Sequence, residues 1–263
     1  VFVTVPRAIP LPPTLILNND PSRDGQAVFV TAGAAGLGFS VVCAGRETLV
    51  AGTNIFGQLG LGKRATAHGG WRRRHDGAVR MTAGNLHALT PVPSLSGMRV
   101  RAVACGYAHT VIANSDGRVF AWGLNFQGQL GLGHTSQNCT DTPQQVEALS
   151  GRCAVSLGCG RQHTLVACSD GDVFSFGQNN CGQLGMVSEG RDNRDDEHVE
   201  SVQRLEHDAC ECLWTPTKVP LGPPDAPVLV TKVAAGSHHS LVITHDGHVL
   251  GFGNNAHGEL GIG

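Results

Sequence analysis

The sequence predicts an all-β fold, a partial β-propeller assembled from small antiparallel sheets. Three observations predict it. Glycine supplies 36 of the 263 residues and charged residues only 15%, and such a chain, with many short apolar runs, reads as strands joined by tight turns. A glycine-punctuated segment recurs in register along the chain. Most recurrences pair two short β-rich runs across an Asp-Gly turn signal.

The clearest copy reads Cys105-Gly106-Tyr107-Ala108-His109-Thr110-Val111-Ile112, Asp116-Gly117, Val119-Phe120-Ala121-Trp122-Gly123, Asn125 and Gly128-Gln129-Leu130-Gly131. The next carries Gly160, His163-Thr164, Asp170-Gly171, Val173-Phe174-Ser175-Phe176-Gly177, Asn179 and Gly182-Gln183-Leu184-Gly185. A third carries Gly236, His239-Ser240, Asp246-Gly247, Val249-Leu250-Gly251-Phe252-Gly253, Asn255 and Gly258-Glu259-Leu260-Gly261. Gly106 to Gly123, Gly160 to Gly177 and Gly236 to Gly253 each span 17 positions. A weaker copy precedes them, with Gly36, Phe39 in place of the histidine, Gly45-Arg46 in place of Asp-Gly, then Gly52, Asn54 and Gly57-Gln58-Leu59-Gly60.

Each piece has a physical reading. Thr110–Ala113 and Arg118–Trp122 are predicted strands, and Asp116-Gly117 is the hairpin between them. Gly123 lets the backbone bend or approach a neighbour closely. The Gly-Gln-Leu-Gly segment is predicted to turn compactly and bury one leucine. Thr90-Pro91, Thr142-Pro143 and Thr215-Pro216 are expected to begin connections into the next apolar run, where proline suits an edge or a strand start. A sheet this small cannot bury both faces alone, so stacking about an axis is expected. The expected organisation is one propeller segment over 1–263, with repeat cores near 33–62, 100–133, 154–186 and 231–263. A basic insert at 63–90 and an acidic insert at 187–215 interrupt it.

The combination of Gly-x-x-His, Asp-Gly, aromatic-Gly-x-Asn and Gly-Gln-Leu-Gly resembles the regulator-of-chromosome-condensation repeat. The resemblance covers about half the chain, in four copies, and implies a propeller of that type. Members of this family usually have seven blades of about fifty residues. The chain is therefore expected to supply four to five blades, and an unclosed ring would leave sheet edges unpaired.

Composition narrows the function classes. The net charge of −2 gives no global field for nucleic acid or membrane. No run of about 18 apolar residues is present to span a membrane. Nine cysteines, an odd number with several in apolar runs, read as reduced thiols of an intracellular protein rather than a disulfide scaffold. Asn138-Cys139-Thr140 fits a glycosylation acceptor, against which the cysteines argue. Cytoplasm, nucleus or an organelle all fit, and the start at Val1 suggests an excised segment.

Candidate sites are weighed against plainer readings. Gly57 to Lys63 has the outline of a phosphate-binding loop, but Arg64 stands where magnesium binding needs Ser or Thr. His109, His163 and His239 occupy one position of the repeat, so a structural histidine bonding nearby backbone is expected rather than a metal cluster. Gly106, Gly123, Gly160, Gly177, Gly236 and Gly253 are assigned structural roles in the same way. His198, His207, Cys210 and Cys212 lie close together, but one residue between the cysteines is too few for a usual zinc site. No metal or cofactor is expected.

The basic insert holds Lys63, Arg64, Arg72, Arg73, Arg74 and Arg80 against one acid, Asp76, with Trp71 beside the arginines. It reads as a solvated loop or as a surface for phosphates or an acidic protein. Lys63, Arg64, Trp71, Arg72, Arg73 and Arg74 are the candidate partner-binding residues. The acidic insert has nine acids between Glu189 and Glu211, with Val199, Val202 and Leu205 at helical spacing, and reads as disordered or as a short amphipathic helix.

No catalytic constellation stands out. The expected function is that of a protein-interaction propeller. The resemblance implies a small GTPase as partner, with guanine-nucleotide exchange or other regulation as the activity. Its alternatives are a scaffold domain, as beside a ubiquitin-ligase domain, and chromatin or nucleic-acid binding through the basic insert. An enzyme or ligand site at the central channel would need polar groups converging from several blades.

Overall fold

The computed structural model describes residues 30–62, 70–73, 79–82, 85–133, 139–186, 212–223 and 226–262. The first sheet begins with β1 (Val30–Gly36), β2 (Phe39–Ala44) and β3 (Glu47–Gly52). A two-stranded ribbon, β4 (Gly70–Arg73) and β5 (Val79–Thr82), intervenes before its last strand, β6 (Leu86–Pro91). The second sheet is β7 (Val100–Cys105), β8 (His109–Asn114), β9 (Val119–Leu124) and β10 (Cys139–Gln145). The third is β11 (Ala154–Cys159), β12 (His163–Cys168), β13 (Val173–Gln178) and β14 (Cys212–Lys218). The last is β15 (Val230–Ala235), β16 (His239–Thr244) and β17 (Val249–Gly253). All pairings are antiparallel between strands adjacent in the sheet. The described residues thus hold four propeller sheets.

Alternation along the strands decides what each face meets. In β8 and β9, His109, Val111 and Ala113 lie opposite Gly123, Ala121 and Val119 on one face. Thr110 and Ile112 lie opposite Trp122 and Phe120 on the other. Val111, Ala113, Val119 and Ala121 join Val166, Phe174 and Phe176 of the third sheet in one buried cluster. Ile112 and Trp122 join Phe39, Val41 and Val50 of the first sheet in another. Leu165, Ala167 and Val173 join Val230, Val233 and Val242 of the fourth. The core therefore lies between sheets, and every residue of β8 and β12 is buried. A single sheet has no core of its own, so the stack is the cooperative unit.

The first strands bring the sheets together backbone to backbone. A Cβ on Gly36 would fall 2.5 Å from the Gly106 carbonyl oxygen, and one on Gly160 would fall 2.5 Å from that of Gly236. Gly106 meets the Gly160 carbonyl in the same way. Only glycine permits this approach, and the four form one line through the fan of sheets. Gly123 is needed for a second reason: its φ of 103° is a conformation side chains rarely adopt.

The proline reading needs correction. Pro143 and Pro216 lie inside β10 and β14, where the pairing register shifts, rather than beginning a connection. These are the outermost strands of their sheets, where a missing N–H is tolerated. Pro91 sits further along its strand, opposite Leu49. The connections begin at Val92, Val146 and Val219, whose N–H groups donate to Thr48, Val119 and Val173 at 2.9, 2.9 and 2.8 Å.

Candidate functional site

In each sheet the first strand runs toward, and the third returns to, one end of the stack. The Gly-x-x-His loops and the Gly-Gln-Leu-Gly loops therefore share that end. Backbone bonds tie them together: Leu124 N donates to Ala108 O at 2.8 Å, Gln178 N to Gln162 O at 2.8 Å and Asn254 N to His238 O at 2.9 Å.

The Gly-Gln-Leu-Gly loops are pinned from within. The Leu130 N–H donates to Asn125 Oδ1 at 3.1 Å and the Gln127 N–H to Gln129 Oε1 at 2.9 Å. The same asparagine bond recurs at Asn54–Leu59 (3.0 Å), Asn179–Leu184 (2.9 Å) and Asn255–Leu260 (3.0 Å). Leu59, Leu130 and Leu184 are thereby held fully buried. Gly57–Gly60 is one of these turns, of the same build as Gly128–Gly131 and Gly182–Gly185, and residues 63–69 that follow it lie outside the described residues. Sequence reasoning gave the Asn and Gln no role, although their recurrence was the available signal.

The histidines differ from expectation in what they bond. His109 Nε2 meets Thr164 Oγ1 at 3.1 Å and His163 Nε2 meets Ser240 Oγ at 3.0 Å, each across a sheet boundary rather than to nearby backbone. Each hydroxyl already spends its hydrogen on a carbonyl of the histidine's own sheet. Thr164 donates to Gln129 O at 2.8 Å and Ser240 to Gln183 O at 2.7 Å. The oxygen can then only accept, so the histidines are Nε2–H tautomers. Their Nδ1 atoms have no hydrogen-bond partner among the described residues, and burial pushes the pKa of His109 down to about 4 and that of His163 to about 3. Both are neutral staples between sheets. In the first sheet Phe39 takes this place, so Thr110 meets no histidine; its hydroxyl donates to Gln58 O at 2.9 Å, which also accepts from Trp122 Nε1 at 2.9 Å.

Among the described residues no three His, Cys, Asp or Glu side chains are grouped to hold a metal ion. Cys43, Cys105, Cys139, Cys153, Cys159, Cys168 and Cys181 form no disulfide, and burial pushes the Cys43 thiol up to about 11 and that of Cys105 to about 12. No helix among these residues is long and apolar enough to cross a membrane.

The loop-bearing end also exposes several large apolar side chains, while others, Val30, Leu229, Ile243, Val249 and Leu250, are exposed elsewhere. Leu37 is 63% exposed, Phe126 46% and Tyr107 37%. Phe126 meets Phe56 edge to face at 6.3 Å between centroids, and the Arg161 guanidinium lies 5.4 Å from the Tyr107 ring centre. Both inserts are rooted here. The basic one leaves after Gly62 and returns at Leu86, opposite Gly52; the acidic one leaves after Met186 and returns at Cys212, opposite Gln178. The opposite end instead carries exposed ion pairs, with Asp172 shared by Arg152 at 3.2 Å and Lys218 at 2.6 Å.

Of the candidate partner-binding residues, Trp71, Arg72 and Arg73 fall in β4, opposite Met81, Arg80 and Val79 of β5, so part of the basic insert is strand rather than loop. Lys63, Arg64 and Arg74 lie outside the described residues, as do His198, His207, Cys210, Val199, Val202 and Leu205. Leu37, Phe56, Tyr107, Phe126 and Arg161 were missed because they occupy the unspecified positions of the repeat. The signal was that those positions fall at loop apices.

Two models of the regulator of chromosome condensation (RCC1) repeat match the chain, one at residues 116–167 and 170–243, the other at 100–129, 154–183 and 230–259. The chain belongs to the regulator-of-chromosome-condensation repeat family. It is 33% identical over 190 residues to Protein RCC2 of Mus musculus, a match covering 72% of this chain and 32% of that protein. It is 33% identical over 213 residues to the probable E3 ubiquitin-protein ligase HERC3 of Homo sapiens, covering 81% of this chain and 16% of that protein. The chain thus spans a third or less of these relatives. Among solved structures, yeast RCC1 (Prp20) in complex with Kap60 superposes with a TM-score of 0.62 at 21% identity, over 89% of this chain and 45% of that one. Human WBSCR16 superposes at 0.61 with 23% identity, over 88% and 50%. These likenesses show the fold.

Proposed function

We propose that this RCC1-type chain is an intracellular protein-interaction domain that docks a partner on its loop-bearing end, with a small GTPase as the partner class. The observation that carries this reading is that exposed Leu37, Tyr107 with Arg161, and Phe126 share the end where both charged inserts are rooted. Exposed aromatic and arginine side chains on a rigid frame are the usual anchors of protein recognition. Membership of the family supports the GTPase reading, and yeast Prp20p, which shares the fold, binds Gsp1p and histones.

If the domain promotes nucleotide exchange, it does so by population shift. Its docking face binds the nucleotide-free GTPase more tightly than the loaded one and so lowers nucleotide affinity. The test is affinity capture with the full-length protein, followed by nucleotide release from any GTPase recovered. Tyr107→Ala/Phe126→Ala and Arg72→Ala/Arg73→Ala/Arg74→Ala variants are each expected to weaken capture at least tenfold while unfolding at the wild-type temperature. Capture unchanged in both would remove the docking reading, and release no faster than the spontaneous rate would leave a scaffold. The cationic insert favours one rival, nucleic-acid binding, which predicts a steep loss of affinity with salt and ends if none binds at low salt.

A further inference from the structure

The three Thr-Pro pairs lie on the outermost strands of the first three sheets, yet their hydroxyls are not equivalent. Thr90 and Thr142 are half-buried and locally engaged. Thr90 Oγ1 donates to Ala88 O at 3.1 Å, and Thr142 Oγ1 accepts from Gln144 Nε2 at 3.0 Å. Thr215 is exposed, and no hydrogen bond joins its hydroxyl to another described residue.

The backbone presents that hydroxyl outward. Leu213 pairs with Gly177 and Thr217 with Ser175, so Trp214, Thr215 and Pro216 together stand opposite Phe176 and leave the ladder. The Gly133 N–H donates to Trp214 O at 2.9 Å and steadies the bulge. A Cβ on Gly133 would lie 3.6 Å from Thr215 Oγ1, and glycine leaves that space empty. The hydroxyl therefore has room for a larger group.

The neighbouring sequence supplies a recognition pattern. Thr215-Pro216-Thr217-Lys218 sets proline directly after the hydroxyl and a cation three positions after it. Pro93 and Gln145 hold the latter position after Thr90 and Thr142. Proline suits a kinase groove that requires no N–H at that place, and the cation suits one with an anionic pocket further along. Lys218 is 57% exposed, and its 2.6 Å pairing with Asp172 is a surface ion pair of the kind exchanged at little cost.

We propose that Thr215 is a phosphorylation site for a proline-directed kinase that reads a basic residue three positions on. Thr215 Oγ attacks the γ-phosphorus of ATP. The Oγ–P bond forms as the bond to the β,γ-bridging oxygen breaks, ADP leaves, and the hydroxyl proton passes to the base of the kinase. The product carries roughly −1.5 to −2 charge at pH 7 on the outer wall of the third sheet.

The test incubates the full chain with a purified cyclin-dependent kinase and ATP, with intact mass and peptide mapping as the readout. One phosphate is expected, on Thr215. Thr215→Ala should take none, Thr142→Ala should still take one, and Lys218→Ala should react about tenfold more slowly. Thr215 and Lys218 are exposed, so both variants should melt with the wild type. A peptide of residues 212–220 is the accessible control. If the peptide accepts phosphate and the folded chain does not, the strand closes Thr215 to the kinase and the proposal fails. It fails equally if neither accepts phosphate, if Thr215→Ala keeps the phosphate, or if Lys218→Ala reacts at the wild-type rate.

Discussion

Acidification between pH 7 and 5 probes the buried histidines directly. An unfolded histidine titrates near pH 6.5, whereas His109 and His163 are held near 4 and 3 by burial. In the interval the unfolded chain binds more protons than the folded one, so stability falls as pH falls. The contribution is complete above about pH 6.5 and is progressively lost below it. At pH 5 the unfolded ring lies about 1.5 units below its pKa, so each histidine removes about 2 kcal/mol at 1.36 kcal/mol per unit. Two together remove about 4 kcal/mol, roughly a 10 °C fall in Tm for a chain of this size. Ordinary carboxylates titrate below this window. The assay is urea unfolding at both pH values for the wild type and for His109→Phe/His163→Phe. Phenylalanine fits the place, because Phe39 packs against Gly36 as His109 packs against Gly106. The variant should lose most of the pH dependence while being less stable at pH 7 by about 1 kcal/mol per lost bond. A variant that weakens as much as the wild type on acidification would refute the assignment of neutral, buried staples.

Two further substitutions separate backbone geometry from polar linkage. Gly123→Ala should cost about 3 kcal/mol or more in urea unfolding, because φ is 103° and the new Cβ strikes the Ala108 carbonyl. Thr164→Val keeps the shape but strands His109 Nε2–H and the Gln129 carbonyl, for a loss of about 2–3 kcal/mol by the same measurement; an unchanged midpoint would mean the hydroxyl links nothing.

The architecture was legible because the repeat encodes it in residue types with few substitutes. Gly106 and Gly123 have no side chain to spare, and the Asp116-Gly117 turn fixes which strands pair. Alternation then decides that Val111 and Ile112 face different neighbours. The partners of His109 were illegible for a definite reason: they lie 55 residues away in the next sheet, and no local pattern states which hydroxyl a ring will meet. Likewise, Pro143 resembles the start of a connection in sequence, because the tolerance of an outermost strand for a missing N–H appears only once the sheet order is known. The docking face was illegible for the opposite reason, that its residues are those the repeat does not specify.

That division has a physical basis. Within each repeat the glycines, histidine, asparagine, glutamine and leucine are consumed by the frame. The asparagine and glutamine pin a loop, the histidine staples two sheets, and the leucine fills the gap between them. None of these groups can leave its place to meet a partner without stranding a buried polar atom or opening a cavity. What remains variable is the loop apex, where Leu37, Tyr107, Arg161 and Ser237 follow the glycines of successive sheets on one end. Their neighbours are solvent and each other, so changing them costs the fold little. Recognition in such a stack therefore resides at positions with no repeat signature, and specificity is set by which side chains those apices happen to assemble.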